Sequence, residues 1–350
     1  MIRPLKYLLV YLLPISAIIS FYSNGVLSFA PVILSFVIIP LFEFVLPPNR
    51  YNLTPEENKK ISKNVLYDWV IYLIVPVQWF CLILFLFSLQ NENLSFIDLI
   101  GRITAYGMLC GVLGINVAHE LGHRMKTSEK FMAKSLLLSA CYMQFYIEHN
   151  RGHHRNVATP IDPTTARVGE TLPAFWLRSI SGVYLNAWKI SNKEAQKKFG
   201  TTQTFKNEML QYQLAQIALV FLIILFFGAW TGLAFLSSCV MGWLLLETVE
   251  YIEHYGLQRE KLNEFRFENT NPTHSWNSNH TIGRLFLFEL SRHSDHHYLA
   301  HKKYPTLDHH SESPQMPTGY PGMMLLATIP PLWFKIMNPK IEQIKKRATY

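Results

Sequence analysis

Six apolar stretches constrain the fold of this 350-residue chain more than any other feature of its sequence. They cover approximately residues 7–22, 26–46, 66–89, 97–118, 212–230 and 232–252. A helix needs about 20 apolar residues to cross the hydrocarbon core of a bilayer. Only 16% of the residues are charged, against about 25% in a typical soluble protein. The sequence therefore predicts an all-α integral membrane protein with six transmembrane helices.

The distribution of lysine and arginine indicates which side of the membrane each loop faces. Three short connections contain neither residue, namely 23–25, 90–96 and 228–231, whereas the other connections are basic. The positive-inside rule therefore places both termini and the segments 119–211 and 253–350 in the cytoplasm. We expect a single membrane-embedded domain over residues 1–350, integral to the cytoplasmic (inner) membrane. Arg102 lies inside the fourth span and is expected to extend to the outer interface.

The distribution of basic residues argues against nucleic-acid binding, and the spacing of the cysteines argues against a cysteine-bound iron site. The net charge is +8, but the basic residues lie between apolar spans and form no stripe with interleaved aromatic residues. A nucleic acid is therefore not expected as a partner, whereas the anionic cytoplasmic leaflet is. The four cysteines form no Cys-x-x-Cys motif, so the chain carries no rubredoxin-type or ferredoxin-type iron site of its own.

Nine histidines fall into four short groups, all on the predicted cytoplasmic side of the membrane. The groups are His119 and His123; His149, His153 and His154; His254; and His293, His296 and His297. Spacings of three and four residues place side chains on one face of a helix. Neutral imidazole is the commonest metal-ligand side chain, and nine ligands exceed the need of one ion. The pattern predicts a polynuclear metal site.

Acidic residues close to these histidines are expected to orient the imidazoles and to tune their basicity. Glu247, Glu250 and His254 share one stripe of the last span, where acidic side chains are costly and indicate function. The full set of such candidates is Glu120, Glu148, Asp162, Glu247, Glu250 and Asp295. No catalytic residue beyond the metal ligands is expected. His309 and His310 lie in a loop rich in serine and proline and are expected to be solvated.

Two metal chemistries compete for these residues. His119-Glu-Leu-Gly-His123 is a formal match to the HExxH motif of zinc metalloproteases, in which Glu120 would be the general base. An intramembrane zinc protease would leave six of the nine histidines unexplained. Iron also accepts imidazole ligands, and it supports dioxygen chemistry because it changes oxidation state, whereas zinc does not.

The residues between the histidines resemble the membrane-bound, non-haem diiron alkane 1-monooxygenases (alkane ω-hydroxylases) of the wider fatty-acid desaturase and hydroxylase superfamily. The similar segments are HELGHR at 119–124, EHNRGHHRNVATPIDPTTA at 148–166, EYIEHYGL at 250–257, HSWNSNH at 274–280, LSRHSDHH at 290–297 and PTGYPGMMLLATIPPLW at 317–333. Two residues depart from the pattern. Arg124 stands where lysine is common, and Glu250 stands where asparagine is common.

The resemblance implies that all nine histidines bind two iron ions and that dioxygen is the co-substrate. The implied reaction converts n-alkanes to 1-alkanols, with electrons from rubredoxin and its reductase. An n-alkane offers no polar group, so it would be recognised by apolar burial, at about 0.8 kcal/mol per CH₂, and would enter from the membrane lipids. The alternatives are a hydroxylase of alkyl-aromatic methyl groups, a lipid desaturase, the zinc protease and a non-enzymatic metal-binding membrane protein.

Overall fold

A computed structural model of the chain describes residues 3–264 and 266–348. Within these residues, six helices are long and apolar enough to cross a membrane. They are α1 (Arg3–Tyr22), α2 (Gly25–Val45), α4 (Val65–Ser88), α5 (Phe96–Gly122), α9 (Glu208–Phe227) and α10 (Ala229–His254). The predicted helical fold with six spans is confirmed.

The remaining elements are short, apart from two longer helices. They are α3 (Pro55–Ser62), α6 (Thr127–Ser139), α7 (144–156), α8 (Leu172–Phe199), β1 (Lys261–Asn263), β2 (Arg266–Phe267), α11 (Thr281–Phe286), α12 (His293–Tyr298), α13 (Tyr320–Ala327) and α14 (Pro330–Ala348). The strands β1 and β2 form an antiparallel pair that the sequence pattern did not predict. Single 3₁₀ turns lie at Pro272–His274 and Tyr304–Thr306.

Two of the spans extend at their C-terminal ends beyond the apolar stretches that predicted them. The fourth apolar stretch ends near residue 118, but α5 continues to Gly122, so His119 lies on the helix itself. The helix α10 likewise ends at His254 rather than near residue 252. Both extensions include polar residues that are buried in the structure, and burial allows them to continue a helix that hydropathy alone would end.

Two π-helical segments lie beside or within the histidine groups. One is Cys110–Ile115 in α5, and the other is His149–His153, which joins the two α-helical parts of α7. The wider turn of a π-helix changes the direction in which neighbouring side chains project, and such bulges are frequent at functional sites. The direction of His149 relative to His153 therefore differs from that of an i, i+4 pair on a regular helix.

Within the described residues, the chain divides into two compact units. Unit 1 contains the chain up to Ile38, Asn64–Arg151 and Tyr184–Leu246, and unit 2 contains Ile39–Lys63, Gly152–Val183 and the chain from Glu247 onwards. The expectation of one membrane-embedded domain over 1–350 stays a prediction.

The core of unit 1 is a close packing of transmembrane helices. Gly242 on α10 lies so close to Cys110 on α5 that a Cβ atom at Gly242 would be 2.5 Å from the Cys110 Cβ. Small residues at such contacts let the backbones of two membrane helices approach each other. Arg102 is 3% exposed and donates from Nη1 to the Ser88 carbonyl at 2.6 Å. Its guanidinium is therefore held by the C-terminal end of α4, and its extension to the outer interface stays a prediction.

Unit 2 has an aromatic core beneath the end of α10. Tyr251, Tyr255, Trp276, Tyr320 and Trp333 are each at most 1% exposed and belong to one cluster of buried side chains. Trp276 donates from its indole nitrogen to the Tyr255 carbonyl at 2.9 Å. Aromatic residues bury large areas in rigid geometries, so this cluster holds the end of α10 against the segments that follow it.

Candidate metal centre

Four histidines of unit 2 meet with their ring nitrogens close together. His153, His254, His293 and His297 are all buried, and their candidate ligand atoms all lie within 4.8 Å of one another. The Nε2 atoms of His153 and His297 are 3.1 Å apart, as are those of His254 and His293. For metal–nitrogen bonds of about 2.1 Å, adjacent ligand atoms lie about 3.0–3.4 Å apart. The spacing therefore fits one metal ion held by imidazole.

These four ligands come from three different elements. His153 is on α7, His254 is the last residue of α10, and His293 and His297 are one turn apart on α12. The i, i+4 spacing of His293 and His297 places both rings on one face of α12, as the sequence predicted. Burial lowers the pKa of His297 well below its usual value, and the neighbouring imidazoles lower it further. The ring is thereby kept in the neutral form that a metal requires.

A second pair of predicted ligands also lies in unit 2. The Nε2 atoms of His154 and His296 are 3.1 Å apart. The ring of His154 is turned away from that of His153, with a centroid separation of 5.9 Å, and lies 4.5 Å from the ring of His297. Consecutive residues on a helix differ in direction by about 100°, which is why His154 does not join the His153 ring.

The other three predicted ligands gather in unit 1. His119 and His123 end α5, and His149 begins the π-helical part of α7. Their ring centroids are separated by 5.1 Å for His119 and His123, 4.5 Å for His119 and His149, and 5.3 Å for His123 and His149. His149 stacks on Phe145 at 4.6 Å, which fixes the plane of its ring. Three imidazoles at this separation supply three converging metal ligands.

A buried carboxylate orients His153 from the side opposite the four-histidine group. Asp162 Oδ2 lies 3.0 Å from His153 Nδ1 and also accepts from the Thr165 hydroxyl at 2.6 Å. The carboxylate thus favours the tautomer with its proton on Nδ1, which leaves the Nε2 lone pair free for a metal. Burial raises the pKa of Asp162, but His153, Thr165 and His254 together lower it more, so the net pKa is below its usual value.

Glu253 lies beside the outer nitrogen of His293 and was missing from the candidates drawn from the sequence. Its Oε1 lies 3.2 Å from His293 Nδ1 and accepts from the Tyr320 hydroxyl at 2.5 Å. Glu253 immediately precedes His254 and therefore lies off the helical stripe that singled out Glu247 and Glu250. The Glu-His pair that recurs at 148–149 is the sequence signal that could have identified it.

Comparisons with known proteins cover the part of the chain that contains the histidine groups. The sequence pattern of the fatty acid desaturase family matches residues 98–326. An alkane 1-monooxygenase of Pseudomonas putida is 38% identical over 305 residues, which are 87% of this chain and 75% of the relative. An alkane 1-monooxygenase of Alcanivorax borkumensis is 35% identical over 96% of this chain and 88% of its own length. This chain belongs to the alkane 1-monooxygenase family. The hydroxylase component of a xylene/toluene monooxygenase from Pseudomonas putida is less similar, at 27% identity over 98% of this chain and 90% of its own length.

Glu120, the general base of a zinc protease in the HExxH interpretation, is engaged elsewhere in this member of the family. It accepts from Arg124 Nε at 2.8 Å, and both residues are buried. Arg124 also donates to Asp68 at 2.9 Å and lies 3.5 Å from Glu129. A buried guanidinium that donates to three carboxylates holds Glu120 as an anion in an ion-pair network. The contacts of Glu120 therefore support a structural role for this residue.

The other predicted carboxylates differ in what they contact. Glu250 Oε2 lies 3.5 Å from His153 Nε2 and 3.6 Å from His254 Nε2. Glu148 accepts from the Asn186 side chain at 2.8 Å, and Glu247 is 1% exposed.

Asp295 lies between the ligands of α12 but contacts the following loop. It accepts from Lys302 Nζ at 2.9 Å, from the Asp308 backbone N–H at 2.8 Å and from His310 Nε2 at 2.7 Å. The expectation that His310 is solvated is therefore wrong, because its side chain is only 21% exposed and is bonded to a buried carboxylate. Asp295 anchors the loop on α12, and the loop in turn stabilises the helix that carries three predicted ligands.

Replacing Asp162 with asparagine is expected to weaken iron binding by roughly 10–100-fold, the usual cost of losing an outer partner of a metal-bound histidine. An amide is a weaker acceptor for the His153 N–H and carries no charge. Iron retained after dialysis against a chelator measures the effect. Asp308→Asn is the matched control, because the Asp308 carboxylate contacts Lys302 at 2.7 Å and lies in the loop. Equal iron retention in both variants would contradict the orienting role of Asp162.

Proposed function

We propose that this chain hydroxylates the terminal carbon of n-alkanes to give 1-alkanols at a site where the nine histidines hold two iron ions. The reaction consumes one alkane, one dioxygen, two electrons and two protons, and it yields one 1-alkanol and one water. The buried group of His153, His254, His293 and His297 carries this proposal, because it offers converging neutral nitrogens in a member of the alkane 1-monooxygenase family.

Iron fits this donor set better than zinc for a reaction that reduces dioxygen. Imidazole is a good ligand for both metals, but zinc has no redox chemistry. Iron bound here would supply the electron transfer to dioxygen and the activation of the C–H bond. The protein supplies neutral ligands, the orientation of His153 by Asp162 and of His293 by Glu253, and burial that limits access of water to the site.

The proposed substrate class rests on the physical chemistry of n-alkanes and on the apolar spans of the chain. An n-alkane partitions into the bilayer and offers no hydrogen-bonding group, so its binding energy comes from apolar burial, at about 0.8 kcal/mol per CH₂. The six apolar spans place the protein in that solvent. We propose entry of the alkane from the bilayer, so that the terminal methyl group is presented to the metal site first.

The electrons come from a separate protein in this proposal. The four cysteines, Cys81, Cys110, Cys141 and Cys239, are buried and free, and their spacing includes no Cys-x-x-Cys motif. We propose a rubredoxin, reduced by its reductase, as the donor. We propose that both termini and the metal site lie on the cytoplasmic side of the inner membrane, in accordance with the positive-inside rule, and that the basic loops attract an acidic carrier there.

Metal analysis and product analysis of the purified, detergent-solubilised protein test the proposal together. We expect about two iron ions per chain and conversion of n-alkanes to 1-alkanols when dioxygen, rubredoxin, its reductase and a nicotinamide reductant are supplied. Zinc without iron would contradict the metal assignment. Alkenes as products would indicate a desaturase instead.

A second candidate is hydroxylation of alkyl-aromatic methyl groups, which the similarity to the xylene/toluene monooxygenase component favours. A competition assay with equal concentrations of n-octane and p-xylene distinguishes the two. We expect 1-octanol to be the main product. A clear excess of the benzylic alcohol would replace the n-alkane assignment with the alkyl-aromatic one.

A further inference from the structure

We propose that Glu250 is itself a metal ligand in the four-histidine group, so that the centre in this chain combines imidazole with one carboxylate. The inference deepens the proposed function and rests on it for the identity of the metal. It concerns residues of unit 2, and all of the contacts that support it lie within that unit.

The first support is the distance from the carboxylate to the nitrogens that define the group. Glu250 Oε2 is 3.5 Å from His153 Nε2 and 3.6 Å from His254 Nε2. Ligand atoms that share one ion with bonds of about 2.1 Å lie about 3.0–3.4 Å from their nearest neighbours. The separations of this oxygen from the His153 and His254 nitrogens are therefore within a few tenths of an ångström of those expected for a ligand adjacent to both.

The second support is the side of the imidazoles that the carboxylate faces. Asp162 and Glu253 contact the Nδ1 atoms of His153 and His293, on the outer side of each ring. Glu250 instead approaches the Nε2 atoms, which are the atoms that face one another in the group. A carboxylate that only oriented an imidazole would be expected at the outer nitrogen, as Asp162 is. Glu250 occupies the position of a ligand.

The third support is burial and helix geometry. Glu250 is 3% exposed, and an ionised carboxylate that is removed from water needs a compensating charge, which a metal cation supplies. Glu250 and His254 are four residues apart on α10, which is helical through His254. Both side chains therefore project from the same face of the last turn of the helix. The backbone already holds the carboxylate beside a histidine ligand.

A carboxylate ligand changes the chemistry that the centre favours. Nine neutral imidazoles leave the full charge of the ions uncompensated, whereas Glu250 adds one negative charge and a hard oxygen donor. The anionic ligand stabilises the ferric state relative to the ferrous state, so the reduction potential of the iron is lowered. Net charge at the ligands is a principal determinant of the potential of protein-bound iron. Asparagine, which is common at this position in the family that the sequence resembles, would lack this effect.

Cobalt(II) substitution of the full-length protein in detergent tests the assignment without relying on turnover. The intensity of the visible Co(II) bands rises when the coordination number falls. We expect Glu250→Gln to increase the visible absorptivity and to weaken Co(II) binding by about 10-fold or more. Glu250→Asp keeps the charge and should restore part of the wild-type spectrum. The ions held by the other histidines contribute equally to all variants and cancel in the difference spectrum.

Glu253→Gln is the matched control, because it removes a carboxylate from the outer nitrogen of His293 and should leave the coordination number unchanged. Identical Co(II) spectra and affinities for the wild-type protein and Glu250→Gln would overturn the assignment, provided that the far-ultraviolet circular dichroism spectra agree. The proposed function is tested separately, by iron content and by 1-alkanol formation in the wild-type protein. A wild-type protein that makes no 1-alkanol, together with a Co(II) spectrum that responds to Glu250→Gln, would reject the function and retain the ligand.

Discussion

Replacing His153 with alanine is expected to abolish 1-alkanol formation and to lower the amount of bound iron. His153 Nε2 lies 3.1 Å from His297 Nε2 in the four-histidine group, so the variant lacks one of the converging nitrogens. The buried carboxylate of Asp162 also loses the N–H that it accepts at 3.0 Å, which leaves an anion without that donor. We expect iron affinity to fall by more than about 100-fold, the upper end of the cost of losing an outer partner alone.

Iron analysis by mass spectrometry and a rubredoxin-coupled assay measure the two effects of His153→Ala in the same preparation. His301→Ala is the matched control, because His301 is exposed and belongs to none of the histidine groups. The control should retain wild-type iron and turnover. If His153→Ala also retained both, the ligand set proposed here would be wrong.

Replacing Arg124 with methionine is expected to destabilise the protein by about 3–5 kcal/mol, as does removal of one partner from a buried ion pair. The Arg124 side chain is 6% exposed and contacts Asp68, Glu120 and Glu129, which are 10%, 10% and 4% exposed. These partners raise the pKa of Arg124 above its usual value although burial opposes the shift, so the guanidinium is charged in the folded state. Methionine would leave three buried carboxylates without their shared cation.

Thermal unfolding of the detergent-solubilised protein measures the loss caused by Arg124→Met. Arg124→Lys should be less harmful, because the ammonium keeps the charge but cannot donate to all of the carboxylates in the planar geometry of a guanidinium. Arg167→Met is the surface control, since Arg167 is exposed, and it should change stability by no more than about 0.5 kcal/mol. A stability of Arg124→Met equal to that of this control would show that the network contributes little.

The sequence alone determined the features that depend on the spacing of residues along a helix and on the lipid around the apolar stretches. Apolar stretches of the length of a bilayer predicted the six spans, because lipid requires every backbone polar group to be satisfied within a helix. The i, i+4 spacing of His293 and His297 predicted a shared helix face, and α12 presents both rings to one group. Asp162 was predicted as the partner of an imidazole from the residues around it, and it lies 3.0 Å from His153.

Only the tertiary structure decided which of these local features meet. His153 and His297 are separated by 144 residues, and His254 and His293 by 39, yet each pair of Nε2 atoms lies 3.1 Å apart. The same packing brings Glu253 to His293, directs Asp295 towards the loop that contains His310, and places Glu250 at the inner nitrogens. Helical period specifies the face on which a side chain lies, whereas the partner of that face depends on how distant segments pack, and no local pattern encodes that arrangement.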